Sequence, residues 1–410
     1  MTDLGTCRFC ATPLRESFCD LGMSPLSNAY PPASDVLKPE VFYPLHAFVC
    51  TSCWLVQLHE MQKPADIFTE YAYFSSFSDS WLAHCKQFAA DFTHRLGLGK
   101  DSRVVEIASN DGYLLQYFKQ LGIEVLGVEP AKNVAEKAIA AGIPSITEFF
   151  GVAQAKKMVA VGQQADLLVG NNVLAHVPDL NDFVGGLALL LKPEGVLSME
   201  FPHLAKLVEG NQFDTIYHEH FSYLSCLTVE RVFAHHGLRM FDVEEHGTHG
   251  GSLRVIACRK DARHAQTGRV EALREREIAQ GYTKIDIYRA FHQKVIDTKC
   301  ALLEFLIDAR RRGKTVVGYG APAKGNTLLN FCGVRTDLIQ YTVDRNPYKQ
   351  TRLLPGTRIP IRAPEDIAAT KPDYVLILPW NLREEITSKM AHIKDWGGRF
   401  VVPIPKVEVL

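Results

Sequence analysis

The residues with the greatest chemical potential lie at 216–225. Within seven consecutive positions this stretch carries two imidazoles, His218 and His220, one carboxylate, Glu219, and two phenols, Tyr217 and Tyr223. That density suggests proton transfer. An imidazole titrates near neutrality, and a neighbouring carboxylate or phenol fixes its tautomer and tunes its basicity. Spacing alone does not choose between the two histidines.

A second set of reactive side chains comes at the N-terminus, where Cys7-x2-Cys10 and Cys50-x2-Cys53 form two thiol knuckles. Paired thiols in a reducing compartment are metal ligands, and four of them saturate a tetrahedral zinc. Such a closed site leaves no position for water or substrate, so the zinc is expected to be structural. A segment of about 70 residues has little core of its own, and a metal offsets that deficit by binding the folded form. The other six cysteines are scattered and read as small core residues. The rings that follow the knuckles, Tyr71, Tyr73, Phe74, Phe77 and Trp81, read as the start of a core helix, with one or two available to line a cleft.

The elements that must position the histidines begin near Ser102. Residues 103–107 are a short β-branched strand that runs into a polar turn and a helix, the opening of a parallel α/β sheet. Glu106, Ala108, Asn110 and Gly112 occupy the alternate positions at which a class I methyltransferase carries an acid and three glycines. Ala is small enough for close ligand approach, and Asn tolerates positive φ. The next strand, 124–128, ends at Glu129, placed to accept the ribose hydroxyls of an adenosine cofactor. A third strand runs into Asn171-Asn172 and His176, and Lys192-Pro193-Glu194-Gly195 precedes a fourth. This order favours S-adenosylmethionine over a dinucleotide. Asn171 and Asn172 would add polar groups, and Phe149 and Phe150 would flank the adenine. The 216–225 stretch follows that last strand, on the carboxyl edge where open α/β sheets bind ligands.

Farther on, 284–312 has the apolar spacing of a long amphipathic helix. A second strand and glycine turn follow at 315–326, with Gly320, Lys324 and Asn326 suited to a phosphate. Apolar runs at 338–344 and 374–378 lead into polar loops bearing Arg345 and Asn381, so a second Rossmann-like sheet is expected.

The chain has 410 residues, enough for two or three domains. Its 45 basic and 46 acidic residues leave a formal charge of -1, which argues against bulk binding of nucleic acid or a membrane surface. There is no apolar run of bilayer length and no signal-peptide pattern at the start, so a cytoplasmic location is expected.

Taken together, the paired CxxC motifs, the 217–223 cluster, His249-Gly250-Gly251-Ser252-Leu253-Arg254, the 318–325 turn and Val343-Asp344-Arg345-Asn346-Pro347 resemble the bacterial sugar C-methyltransferases that act on nucleotide-linked deoxyhexoses, such as those of the tetronitrose and mycarose pathways. The resemblance runs from the first knuckle to the C-terminus. It implies a zinc module (1–70), a class I methyltransferase domain (71–255) and a Rossmann-like C-terminal domain (256–410). It also implies S-adenosylmethionine as methyl donor and a nucleotide sugar as substrate, a dTDP-linked 4-keto deoxyhexose methylated at C3, with a monomer as the expected state. By the same resemblance His220 is the base, Glu219, Tyr217, His176 and Tyr71 line its site, and Arg254, Gly320, Lys324, Asn326, Arg345 and Asn381 face the nucleotide sugar. The alternatives are an O- or N-methyltransferase, a nucleotide-linked oxidoreductase built on the 318–320 turn, and a non-catalytic partner-binding protein.

Overall fold

The computed structural model describes residues 4–63, 75–77 and 79–410. Near the N-terminus, strands β1 (Glu16–Ser24), β2 (Tyr43–Val49) and β3 (Val56–Leu58) form an antiparallel meander. Its inner residues Phe18, Leu45, Ala47, Val49 and Val56 are buried, whereas the sequence between β1 and β2 runs over the surface.

The second sheet starts at β4 (Arg103–Ile107), β5 (Glu124–Val128), β6 (Ser145–Ile146), β7 (Ala165–Asn171) and β8 (Leu191–Pro202), all parallel. The chain then leaves it for a two-residue strand, β9 (Ser222–Tyr223), before returning as the antiparallel hairpin β10 (Leu238–His246) and β11 (Ser252–Arg259). The order is β10-β11-β8-β7-β4-β5-β6. Val104, Val105, Leu167, Leu168 and Val169 are wholly buried, as the central strands of a sheet covered on both faces require. Helix Asp79–Leu96 packs Trp81, Cys85, Phe88 and Phe92 on one face; helices Leu180–Leu190 and Cys226–His235 cover the other. Strand order reverses between β4 and β7, which opens a crevice at their carboxyl ends.

The third sheet comprises β12 (Val316–Tyr319), β13 (Thr342–Val343), β14 (Ile361–Arg362), β15 (Tyr374–Ile377), β16 (Arg399–Val402) and β17 (Glu408–Val409). Its order is β14-β13-β12-β15-β16-β17, parallel except for β17. Its own reversal point falls between β12 and β15. The long helix Ile285–Arg311 buries Tyr288, Phe291, Val295, Leu302 and Leu306 along one stripe and joins the first and third sheets in one core.

Several elements differ from expectation. The 338–344 run yields only the two-residue β13, because residues 335–339 form a turn and the chain joins β12 only from Gln340 onward. The boundary at 255 falls inside β11, which runs to Arg259, and helix Gly268–Ala279 packs against β10, so the layer over the second sheet continues past 255. Strand β9 pairs with β3, so the N-terminal sheet, in the order β1-β2-β3-β9, is completed by a strand from the middle of the chain. Sequence patterning missed this because a two-residue strand has no period to read.

Candidate active site

The turn after β4 is built on left-handed backbone. Ala108, Asn110 and Gly112 have φ of 57°, 48° and 79°. A Cβ on Gly112 would come within 2.9 Å of Ile143 Cγ1, so glycine is required there for both φ and space. Glu129, at the end of β5, accepts the Asn110 amide (2.9 Å) and the Ala131 amide (2.9 Å), tying the turn to the next loop. Burial raises its carboxyl despite those two bonds.

Beneath the turn, Glu106 is fully buried with neither carboxylate oxygen in a hydrogen bond of good geometry. Burial, opposed in part by the Tyr113 hydroxyl, holds it well above the ordinary carboxylate range. Among the described residues, the side-chain oxygens of Asn171 and Asn172 and one oxygen of Asp111 are likewise buried without a partner. Asn172 has φ 55° and receives the backbone role of a sharp turn after β7, its amide donating to the Glu200 carbonyl (2.7 Å). A crevice so rich in unsatisfied acceptors suits a cation, and S-adenosylmethionine carries two, an ammonium and a sulfonium, beside ribose hydroxyls that fit Glu129. Phe149 is half exposed, while Phe150 packs edge-on against Phe183 at 5.5 Å.

The 216–225 stretch curls over this crevice. His220 Nδ1 lies 2.8 Å from the Thr215 carbonyl oxygen. A carbonyl only accepts, so Nδ1 carries the proton and Nε2 keeps a lone pair. The Tyr217 ring lies 3.9 Å from the imidazole, centroid to centroid, the His176 ring 4.7 Å edge-on and the Tyr223 ring 6.2 Å. Burial drives His220 well below the usual imidazole value and His176 down to about 4. Glu219 points the other way and accepts the Asn28 amide at 2.7 Å; burial pushes it up to about 7. His218 Nε2 donates to the Pro44 carbonyl (3.2 Å), with its ring edge-on to Tyr43. Tyr71 lies outside the described residues.

The third sheet meets this cluster along a buried seam. Trp380 Nε1 donates to Asp214 Oδ2 (2.7 Å), one residue before the carbonyl that holds His220. Lys324 places its ammonium 4.2 Å over the Trp380 ring and donates to Asn381 Oδ1. Burial moves Asp214 up to about 7 and Lys324 down to about 8. Gly320, with φ 88°, abuts Pro379: a Cβ there would sit 2.5 Å from its Cδ, so the loops after β12 and β15 touch at the reversal point. The Ala321 amide donates to Asp344 (2.7 Å), while Tyr30 (2.6 Å) and Lys349 (2.8 Å) both donate to the Ala321 carbonyl.

Lys324, Asn381 and Gly320 are thus brought together, and Arg345 stands nearby on the surface, 3.9 Å from Glu385. Asn326 and Arg254 are placed differently. Asn326 is buried with its amide on the Ser27 carbonyl (2.6 Å), holding the N-terminal segment to the third sheet. Arg254 is taken up by Glu200 (2.7 Å) and Glu244 (2.8 Å) and lies 4.6 Å over the Phe88 ring, inside the second sheet's packing. Sequence reading missed Asn28, Tyr30, Asp214, Lys349 and Trp380 as site residues. Asn28 and Tyr30 reach the site from a distant segment, Asp214 lies just upstream of the histidine stretch, and Trp380 and Lys349 lie in the loops that carry Asn381 and Arg345; none belongs to a motif with a recognisable spacing.

At the N-terminus the four thiols of Cys7, Cys10, Cys50 and Cys53 lie within 4.8 Å of one another. Cys7 and Cys53 are 3.5 Å apart, as are Cys10 and Cys50. Four sulfurs about 2.3 Å from a tetrahedral zinc would be spaced much like this. The set fits a closed structural site.

The reversed sheet and the acceptor-lined turn define a class I methyltransferase. Family comparison agrees: residues 81–243 match a methyltransferase domain, 7–68 a zinc-binding domain, and 247–405 the C-methyltransferase C-terminal domain. The chain is 36% identical to the C-methyltransferase NovU of Streptomyces niveus over 98% of its own length and 96% of that relative. A shorter likeness, 27% identity over 23% of this chain and 39% of the relative, is to a ubiquinone biosynthesis O-methyltransferase of Bartonella tribocorum. Among solved structures, magnesium protoporphyrin IX methyltransferase of Synechocystis PCC 6803 aligns at a TM-score of 0.35 and 15% identity, over 43% of this chain and 83% of that one. The chain belongs to the S-adenosylmethionine-dependent C-methyltransferases with an N-terminal zinc module. No helix among the described residues is long and apolar enough to cross a membrane.

Proposed function

We propose that the protein methylates C3 of a nucleotide-linked 4-keto deoxyhexose, a dTDP sugar, with His220 as the base. The observation that carries this reading is the His220 Nδ1–Thr215 carbonyl bond, which leaves Nε2 as a fixed, unprotonated acceptor. A carbon nucleophile has to be made before it can be methylated. A keto group at C4 acidifies the C3 proton by allowing an enolate, and a neutral imidazole is the base that chemistry needs. Because burial depresses His220, its basic form persists through neutral pH and below the usual imidazole range.

Tyr217 and His176, both against the His220 ring, are suited to stabilising the enolate oxygen by donating to it. When bound, S-adenosylmethionine supplies an electrophilic methyl group. Glu129, Glu106, Asn171 and Asn172 would hold its ribose and cationic parts, the 108–112 backbone would approach it closely, and Phe149 would cover the adenine. The Gly320 turn with Lys324, Asn381 and Arg345 supports an anionic, diphosphate-bearing substrate that reaches His220 across the seam. The zinc is structural, and no part of the chemistry is assigned to it.

The test is deuterium uptake from solvent at C3 of a nucleotide 4-keto sugar in the absence of methyl donor. His220→Ala is expected to bind S-adenosylmethionine normally and to abolish uptake; undiminished uptake excludes His220 as the base. A panel of nucleotide keto sugars with labelled methyl donor, read by product mass and methyl position, tests substrate class and C3 specificity. Methyl incorporation at oxygen would overturn the C3 assignment.

A further inference from the structure

The first zinc knuckle faces the active site through the residue between its thiols. Arg8 lies between Cys7 and Cys10, and its guanidinium forks in two directions. Nη1 donates to the Pro178 carbonyl at 2.8 Å, and Nη2 donates to the Leu58 carbonyl. Pro178 comes two residues after His176. Leu58 ends β3, and its amide donates to the Phe221 carbonyl (3.0 Å), next to His220. The guanidinium also lies 5.4 Å over the Phe221 ring.

The knuckle backbone is held to the same strand. Gln57 accepts the Arg8 amide (2.9 Å) and donates to Cys7 Sγ (3.2 Å), and Gln57 pairs with Ser222 in the β3–β9 ladder. The neighbouring Phe9 carbonyl accepts the Asn181 amide at 2.9 Å, so the turn after His176 is gripped twice by one knuckle. His176 and His220 come from segments 44 residues apart in the chain, yet their rings meet edge-on at 4.7 Å. Arg8 is the side chain that donates to both supports of that pair.

We propose that Arg8 is a positioning residue that sets the spacing of His176 and His220, coupling the zinc knuckle to the base. The inference rests on His220 being the base. A planar guanidinium holds two acceptors at a fixed angle, which a lysine cannot do with a single ammonium on a flexible stem. Small displacements of a base from its carbon acid cost rate more than they cost binding.

The experiment compares Arg8→Met, Arg8→Lys, His220→Ala and Arg231→Ala in the full-length, zinc-loaded protein. Arg231 donates to the Ser52 carbonyl (2.6 Å) in the other knuckle and serves as a control for docking of the module in general. Zinc content, S-adenosylmethionine affinity, kcat, KM and solvent exchange at C3 are measured for each. Arg8→Met is expected to lower kcat and exchange on the order of tenfold to a hundredfold, with zinc content, donor affinity and KM close to wild type. Arg8→Lys should fall between Arg8→Met and wild type, and Arg231→Ala should exchange at the wild-type rate.

Wild-type exchange in Arg8→Met or Arg8→Lys, alongside an inactive His220→Ala, overturns the role of Arg8 and leaves the base assignment standing. Undiminished exchange in His220→Ala overturns the base assignment itself. An equal loss in Arg231→Ala and Arg8→Lys also overturns the proposal, because general loosening of the module would then account for the effect.

Discussion

Buried imidazoles and carboxyl groups at the site are moved from their ordinary values, among them His249, whose Nε2 lies 3.1 Å from Asn172 Nδ2, and their directions set the pH behaviour. His176 and His249 are held down to about 4 by burial, and His220 is also depressed. A depressed histidine contributes stability above its unfolded value near 6.5, and that stability is lost as pH falls through the folded value. The histidines should therefore contribute a drop in the thermal midpoint between pH 6.5 and 4, opposed by Asp214 and Glu219, whose raised carboxyls act in the other sense over that range. His249 has φ 55°, which asparagine tolerates, so His249→Asn should remove part of that drop without straining the backbone. Glu219 sits near 7, so the pH profile of kcat/KM is expected to show an inflection there that Glu219→Gln abolishes. The density of titratable groups at 217–223 was plain in the sequence. Which imidazole is free to act was not, because that depends on the Thr215 carbonyl and on His176 arriving from another segment.

The turn at 108–112 was legible by position because acid and small residues alternate from Glu106 to Gly112. That Ala108 would join Asn110 and Gly112 in left-handed backbone was not, since alanine has no such preference. Gly112→Val should destabilise the fold by about 1–3 kcal/mol and weaken S-adenosylmethionine binding, as measured by denaturant unfolding and by calorimetry. The zinc module is a second case. Its four ligands follow from their spacing, but β9 pairs with its sheet through only two residue positions, too few to leave a pattern. Removing the metal with a chelator is expected to abolish solvent exchange at C3 before donor binding fails, because β9 leads directly from His220 while the donor crevice is built on β4, β5 and β7. Exchange and binding lost together at each chelator concentration would count against that order.

At the scale of the molecule, the two sets of alternating strands and helices and the paired cysteines announced an α/β protein with two open sheets and a metal module. The expected boundary at 255 falls inside β11, helix Gly268–Ala279 packs on β10, and the segment around Asn28 and Tyr30 lies on the third sheet. Those last contacts join residues about 300 positions apart and leave no local signature. The seam between the sheets depends on Trp380, whose Nε1 satisfies one oxygen of a buried Asp214 while the other has no partner. Trp380→Phe should cost about 1–3 kcal/mol by leaving that carboxylate unpaired, read as a lower urea midpoint.

The pairing of β3 with β9 also bears on how the chain is made. Synthesis delivers both thiol knuckles and the β1-β2-β3 meander long before residues 222 and 223 emerge. The nascent module can take up zinc early, but the outer edge of β3 then stays open, a template for any other strand it meets. Chain termination before residue 222 would leave that edge uncovered permanently, and slow translation there would prolong its exposure. The segment that carries the proposed base is thus also the strand that covers the module's open edge, so completing the candidate site and shielding that edge are one event.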